Sequence, residues 1–181
     1  QPMQRTKAVL SLIIFLTGFA VGFDIRDPVP SILTPESPLY ASKLVEEERE
    51  VNSAGTPLKR LAVYDRLIIF RINEIDAVLK KGKPAYLNCL CMSYYRTLSR
   101  NNADLQEIYA VGKLPKERAL EIRKNLINGR KRLAAIENNS IGEARALLKC
   151  AIERTDKAIA SIDSMMKGIE IEKMKIKYTL S

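Results

Sequence analysis

The chain has 181 residues, of which 46% are hydrophobic and only 6% aromatic, with no Trp, no His and a formal net charge of +9. The missing His removes the commonest general base and metal ligand, and scarce aromatics favour Leu, Ile and Ala helix seams over a β-sandwich. This composition predicts an all-α protein and indicates no catalytic residue, no cofactor and no metal site.

The N-terminal region contains one apolar run, residues 8–23, preceded by Arg5 and Lys7. As a helix this run spans about 24 Å, slightly less than the roughly 30 Å hydrocarbon core of a bilayer. We predict a retained transmembrane or stalk helix over residues 1–23, with a cleavable signal and a soluble core helix as alternatives. The two preceding cations predict that the rest of the chain lies outside the cytoplasm.

Residues 24–38 form a proline-rich elbow, because their four prolines cannot continue a helix. Ser37 and Pro38 are a good start signal for a helix over residues 39–51. This helix is strongly acidic, with carboxylates at Glu46, Glu47, Glu48 and Glu50. We expect these acids to lie against the basic helices of the same molecule or of a neighbouring molecule.

A helical hairpin is predicted next. Its first helix begins at Thr56-Pro57 and ends at Gly82, and its second begins at Pro84 and ends at Gly112. Apolar residues recur at steps of three and four along both helices, which is typical of a buried seam. The predicted seams are Leu58, Leu61, Asp65, Ile68, Ile72, Ile75 and Leu79, then Leu87, Cys91, Tyr94, Leu98, Asn101, Leu105 and Ile108.

Asp65 and Asn101 are the polar residues of these two seams, and the short turn places them at nearly the same height. They can bond to each other or to Arg100. We expect a polar pair that fixes the register of the two helices, with a buried polar functional site as the alternative.

A second hairpin is predicted from Pro115, with a turn at Asn138-Asn139 and a last helix capped by Ser140. Its seams are Ala119, Ile122, Leu126, Gly129, Leu133 and Ile136, then Ile141, Ala144, Leu148, Ala151, Thr155, Ala158, Ile162 and Met165. Two hairpins in succession predict an up-down antiparallel helical bundle over residues 39–167.

The C-terminal tail, residues 168–181, alternates apolar residues with lysines, which fits the period of a strand. Such a strand would pair with another chain, and a frayed helical extension is the alternative.

Two modifications are candidates. Cys91 and Cys150 lie a few residues into helices expected to run parallel, so their heights agree; a disulfide between them and buried free thiols are the two alternatives. Asn138 begins an N-x-S sequon and is a candidate glycosylation site in an exported domain.

The segment Thr34-Pro35-Glu36-Ser37-Pro38-Leu39-Tyr40 resembles the opening of an uncharacterised extracytoplasmic helical domain family of bacteria and archaea. Those domains follow an N-terminal signal or anchor and continue through long amphipathic helices. The likeness covers residues 34–108 at most, and Ala41-Ser42 departs from the family's usual proline or aromatic. The resemblance implies an extracytoplasmic helical domain and carries no catalytic residues.

No di-iron motif, phosphate loop or nucleophile constellation is present, so we expect a non-enzymatic structural subunit of a cell-surface assembly, in one version a pilus-like filament. Its expected partners are copies of itself or other surface and membrane proteins. The basic residues are scattered and accompany no binding motif, so nucleic acid is not expected. The alternative is a membrane-anchored accessory or sensory subunit that binds a partner protein.

Overall fold

The computed structural model describes residues 32–179, the last eight of them as backbone only, and this part of the chain is helical and contains no strand. Its five α-helices are α1 (Tyr40–Ser53), α2 (Pro57–Lys80), α3 (Leu87–Ala110), α4 (Lys116–Asn138) and α5 (Gly142–Thr179), with a 3₁₀ turn (Pro84–Tyr86) before α3. The predicted all-α class is therefore confirmed. The apolar run 8–23 lies outside the described residues.

The helix boundaries follow local signals in the sequence. Thr56 caps α2, its hydroxyl oxygen accepting a hydrogen bond from the Lys59 N–H at 3.3 Å, and Pro57 occupies the first helical position. The chain then turns at Gly82, whose φ of +66° is a left-handed conformation that favours glycine. These capping and turn residues explain why the boundaries of the first hairpin could be predicted closely.

Within each hairpin the two helices are antiparallel, and each helix lies parallel to its neighbour in the other hairpin. Within them, α2 pairs with α3 and α4 with α5, through bonds such as Arg60–Asp104, Arg71–Ser93, Arg123–Asp163 and Lys116–Glu170. Between them, α3 runs beside α5 and α2 beside α4, through bonds such as Tyr94–Thr155, Asp65–Arg118 and Asn73–Arg132. The predicted chain directions hold, but the connection 111–115 carries the chain across the diagonal of the bundle, so neighbours across the two hairpins are parallel.

The centre of the bundle is apolar, and the predicted seams supply most of it. Leu61, Ile72, Ile122 and Leu148 are among the side chains with no solvent exposure. Two predicted seam positions at helix ends are wrong, because Leu58 is 43% exposed and Ile141 is 87% exposed. A periodic pattern does not reveal where the neighbouring helix stops.

Helix α1 packs outside this four-helix square, antiparallel to α2. Only Tyr40 and Val51 of its fourteen residues are buried. Val51 forms a small second apolar cluster with Tyr64 and Leu67 of α2, separate from the main core.

Two further predictions are corrected by the structure. The tail is the continuation of α5 as far as Thr179, so the strand interpretation of residues 168–181 is wrong over this part and the helical alternative holds. Ser140 does not cap the last helix; its hydroxyl donates to the Ile136 carbonyl at 2.8 Å and so completes the end of α4.

Candidate functional site

The most unusual feature of the described residues is a pair of charged side chains buried beneath α1. Arg71 and Glu74 of α2 have side chains only 3% and 1% exposed. They lie one turn apart on α2, on the face that α1 covers. Charged groups this deeply buried need partners, because transfer of an unpaired charge from water is very costly.

Partners for both come from α1. Tyr40 Oη donates to Glu74 Oε2 at 3.0 Å, and the Lys43 ammonium also donates to Glu74. Arg71 Nη1 donates to both Glu74 oxygens at 3.0 Å, while its Nη2 bonds to Glu47. We call these five residues, Tyr40, Lys43, Glu47, Arg71 and Glu74, the charge cluster.

The charge cluster is electrically balanced, with two cations and two carboxylates. Burial lowers the pKa of Arg71, but the carboxylates of Glu47 and Glu74 raise it by more. The pKa of the guanidinium therefore lies above its ordinary value. Burial also raises the pKa of Tyr40, and the Glu74 carboxylate adds to the rise, so the Tyr40 hydroxyl stays protonated as a donor. The arrangement suits the docking of a polar helix, because each charged group is complete only when α1 is in place.

Further ion pairs continue along α1. Glu50 pairs with Arg66 of α2, and Glu48 accepts from Arg100 of α3 at 2.7 Å. Together with Glu47, they bear out the expectation that the acidic run lies against basic helices of the same molecule. Glu46 differs, since it pairs with Arg49 within its own helix.

Beside the charge cluster lies a cavity of about 110 Å³ between α1, α2 and α3. Its wall combines apolar groups such as Val51 and Tyr64 with polar ones such as Ser93 and Thr97. The space is well below that of sites for drug-sized molecules, which occupy about 300–1,000 Å³.

Asp65 and Asn101 are both buried, at 8% and 1% exposure. The register of α2 and α3 places them within a turn of each other, but the structure does not join them. Asp65 Oδ2 instead accepts from Arg118 Nη2 of α4 at 2.8 Å, while Asp65 Oδ1 and Asn101 Nδ2 have no protein partner. Arg100, the other expected partner, is directed to Glu48. Asp65 therefore links the two hairpins.

The environment of Asp65 disfavours its charge. Burial raises its pKa to about 6, and the Arg118 guanidinium offsets only part of that effect. A carboxylate paired with an arginine of the other hairpin suits the register role predicted from the sequence, and a buried polar functional site is the alternative. Both roles for Asp65 and Asn101 stay predictions.

The structure also places the residues of the two candidate modifications, the disulfide and the glycosylation site. Cys89, Cys91 and Cys150 are free thiols, Cys91 buried and the other two exposed. The alternative of buried free thiols thus describes Cys91 alone. Asn138 is exposed, but it is the last residue of α4 rather than part of the interhelical turn in which it was predicted. Its glycosylation stays a prediction.

Sequence reasoning missed the charge cluster. A signal was present, because Tyr64, Leu67, Arg71, Glu74 and Val78 form a second stripe on α2 with the same steps of three and four. The two charges in the middle make this stripe look like a solvated face. The two charges are explained by the covering helix α1, which supplies a cation for Glu74 and a carboxylate for Arg71.

Among residues 32–171, for which side chains are described, no group of three or more His, Cys, Asp or Glu residues could hold a metal ion. In the part of the chain that the structure describes, none of the helices has the length and apolarity needed to cross a membrane. Comparison with protein-family models, with curated proteins and with solved structures gave no match. The resemblance to an extracytoplasmic helical family stays an expectation.

Proposed function

We propose that this protein is a non-enzymatic structural subunit of a cell-surface assembly outside the cytoplasm, built mainly from copies of itself. One observation carries the proposal: within the described residues, the segment around Glu36 lies at one end of the bundle and the last helix projects at the other end. Such polarity suits head-to-tail association, which generates filaments or rings.

At the first end, the chain arrives beside the turn between α2 and α3. Glu36 pairs there with Lys81 at 3.0 Å and also with Lys83, and Lys81 also donates to Thr34. These contacts fix the last part of the proline-rich elbow.

At the second end, α5 projects beyond its neighbours. Its 38 residues correspond to about 57 Å of helix, against about 36 Å for the 24 residues of α3. Lys116, the first residue of α4, bonds to Glu170, so residues 171–179 continue about two turns further. The sequence of this projection combines apolar residues with three lysines, which suits contact with another subunit.

The apolar run 8–23 has one of two roles in this proposal. It packs against copies of itself in the centre of a filament, or it crosses the membrane and tethers the bundle on the outer side. The first role makes the assembly independent of lipid, and the second makes it dependent on lipid.

Electron microscopy of natively isolated material, before and after detergent treatment, tests the proposal. We expect filaments or lattices that persist in detergent. Detergent-soluble monomers, or a discrete complex with foreign subunits, would contradict self-assembly.

Electron microscopy of a truncated chain tests the role of the projecting part of α5. Removal of residues 172–181 is expected to abolish assembly while circular dichroism still reports a folded helical protein. Glu153→Gln, an exposed position in the middle of α5 and away from both ends, is the matched control and is expected to assemble normally. Normal assembly of the truncated chain would exclude the projection as an attachment point.

A membrane-anchored accessory subunit is the second candidate. It is favoured by an open groove of about 460 Å³ between the ends of α2 and α4, whose lining includes Leu79, Arg132 and Ile136. The exposed Ile141 follows this lining in the chain. This candidate predicts stoichiometric co-purification with an unrelated protein, which Arg132→Glu would reduce and Glu153→Gln, away from the groove, would not.

A further inference from the structure

Cys91 and Cys150 lie at the same height on two neighbouring parallel helices. Tyr94 Oη and Thr155 Oγ1 of α3 and α5 are hydrogen-bonded at 2.6 Å, and Tyr95 Oη donates to the Leu147 carbonyl at 3.2 Å. Cys91 is one turn before these tyrosines, and Cys150 lies between Leu147 and Thr155 in the chain. The two contacts therefore lie one turn beyond Cys91 on α3 and on either side of Cys150 on α5.

The two cysteines also belong to facing stripes of their helices. On α3, Cys91 is followed one turn later by Tyr95; on α5, Cys150 is followed one turn later by Arg154. The Arg154 guanidinium lies over the Tyr95 ring, 4.4 Å from its centroid. Because the second members of the two stripes touch, the first members are neighbours as well.

Small side chains let α3 and α5 approach closely here. Ala151, next to Cys150, has no solvent exposure, and Ala158 is 8% exposed. Cα atoms of the two helices come within 8 Å of each other. Disulfides require Cα separations of about 4.4–6.8 Å, so the bond forms when the two cysteines approach each other within that range.

The two thiols differ in accessibility. Cys150 is exposed, whereas Cys91 is completely buried. Burial raises the pKa of the Cys91 thiol to about 12, and the nearby Cys150 adds to the rise. Cys150 is therefore the thiol that meets an external oxidant first.

We propose that Cys91 and Cys150 form a disulfide that links the two hairpins when the protein meets an organic disulfide as oxidant. The Cys150 thiolate attacks one sulfur of the oxidant, forming a mixed disulfide and releasing one thiolate. Cys91 then loses its proton to solvent and attacks the Cys150 sulfur, which expels the second thiolate. Two cysteine thiols are oxidised and one external disulfide is reduced to two thiols, so electrons and protons balance.

The consequence is a covalent link between α3 and α5, which the described structure joins only by noncovalent contacts. Cross-linking residues far apart in the chain restricts the unfolded state more than the folded state. The bond would persist in an oxidising compartment, and its relevance there depends on the proposed extracytoplasmic location, whereas its chemistry does not.

The experiment uses the full chain, reduced and then incubated with oxidised glutathione. After acid quenching and alkylation, mass spectrometry of the tryptic peptides identifies the linked cysteines. Cys89 and Cys91 fall in one tryptic peptide, so Cys89→Ala is the matched variant. We expect the Cys91 peptide to be linked to the Cys150 peptide in both the wild-type chain and Cys89→Ala, with a higher denaturant midpoint after oxidation.

Single removal of either partner sharpens the assignment. In Cys91→Ala, Cys150 is expected to stop as its glutathione adduct; in Cys150→Ala, Cys91 is expected to remain a free thiol. A wild-type chain that accumulates the Cys150 adduct, a Cys89–Cys150 link, or a link between two chains would overturn the proposal.

The peptide assay reads one chain, so its result is independent of assembly. A linked chain that forms no filaments would contradict the proposed function alone. Filaments from a chain that never forms the link would contradict the disulfide alone.

Discussion

Helix α1 and the interior of the four-helix bundle both pack helix against helix, but different forces stabilise the two regions. The interior of α2 to α5 is apolar, with Leu61, Ile72 and Leu148 fully buried. Helix α1 buries only two of its residues and is held mainly by ion pairs to Arg66, Arg71 and Arg100. One protein thus shows nondirectional apolar packing and directional charge pairing in adjacent layers.

The difference predicts unequal stability. Apolar burial contributes at every pH and salt concentration, whereas ion pairs lose most of their gain to desolvation and are weakened by salt. A helix attached through ion pairs can leave while the remaining bundle stays folded. We expect α1 to be the unit that opens first.

The largest effect is expected for Arg71→Ala. With α1 docked, the substitution leaves Glu47 and Glu74 buried without their arginine, which costs about 3–5 kcal/mol. Because undocking of α1 returns both carboxylates to water, residues 40–53 should lose protection from hydrogen exchange while α3 and α5 keep theirs.

Leu148→Ala is the matched control in the bundle interior. It should cost about 2–5 kcal/mol and lower protection throughout the described helices. Equal loss of protection in α1 and α5 for Arg71→Ala would show that the two layers are one cooperative unit.

The second prediction concerns the pH dependence of stability, which differs between the bundle interior and the α1 layer. The pKa of Asp65 is about 6 in the folded state, above its unfolded value of 3.8, so the folded state binds the extra proton between these values. Stability from this group therefore rises as pH falls from 7 to 4, by about 2–3 kcal/mol. Urea midpoints should show this gain in the wild-type chain, and Asp65→Asn should lack it.

In the α1 layer, stability changes with pH in the opposite direction. The Arg66 guanidinium lowers the pKa of Glu50, so its stabilising contribution is present above the unfolded pKa and lost as pH falls through the lower folded value. Hydrogen exchange below pH 4 should therefore show α1 weakening. Parallel pH profiles for wild type and Asp65→Asn would refute the assignment to Asp65.

A third, smaller effect concerns the packing of α5 against α3. A Cβ at Gly168 would overlap Tyr109 Oη and lie 3.1 Å from Cζ, so Gly168→Ala should cost about 1–3 kcal/mol, against a gain of about 1 kcal/mol from helix propensity. Thermal unfolding should show a net loss. Tyr109→Phe removes the overlapping oxygen, so Gly168→Ala should be less harmful in that background; an unchanged cost would place the strain elsewhere.

The smallest effect is expected for Glu48→Gln, which removes the exposed pair with Arg100. The cost should be under about 1 kcal/mol and should vanish at high salt, where the Debye length is about 3 Å. Leu148→Ala should cost the same at low and high salt. A salt-independent cost for Glu48→Gln would mean that Glu48 stabilises α1 by packing rather than by charge.

The predicted seams of α3 show how far periodicity can be trusted. All seven of its seam residues, from Leu87 to Ile108, are buried. The same pattern failed at Leu58 and Ile141, which lie at helix ends that no neighbour covers within the described residues, and it missed Arg71 and Glu74, whose covering helix has matching charges. For the candidate site, the sequence indicated the buried positions of Asp65 and Asn101 but not the partner Arg118.

The sequence by itself determined the all-α class, the approximate helix boundaries and most of the buried faces, because caps, turn glycines and periodicity act within one or two turns of the chain. Tertiary structure alone decided that α3 and α5 are adjacent rather than diagonal in the bundle, and that α1 covers Arg71 and Glu74. These outcomes depend on packing between residues far apart in the chain, which no local pattern contains.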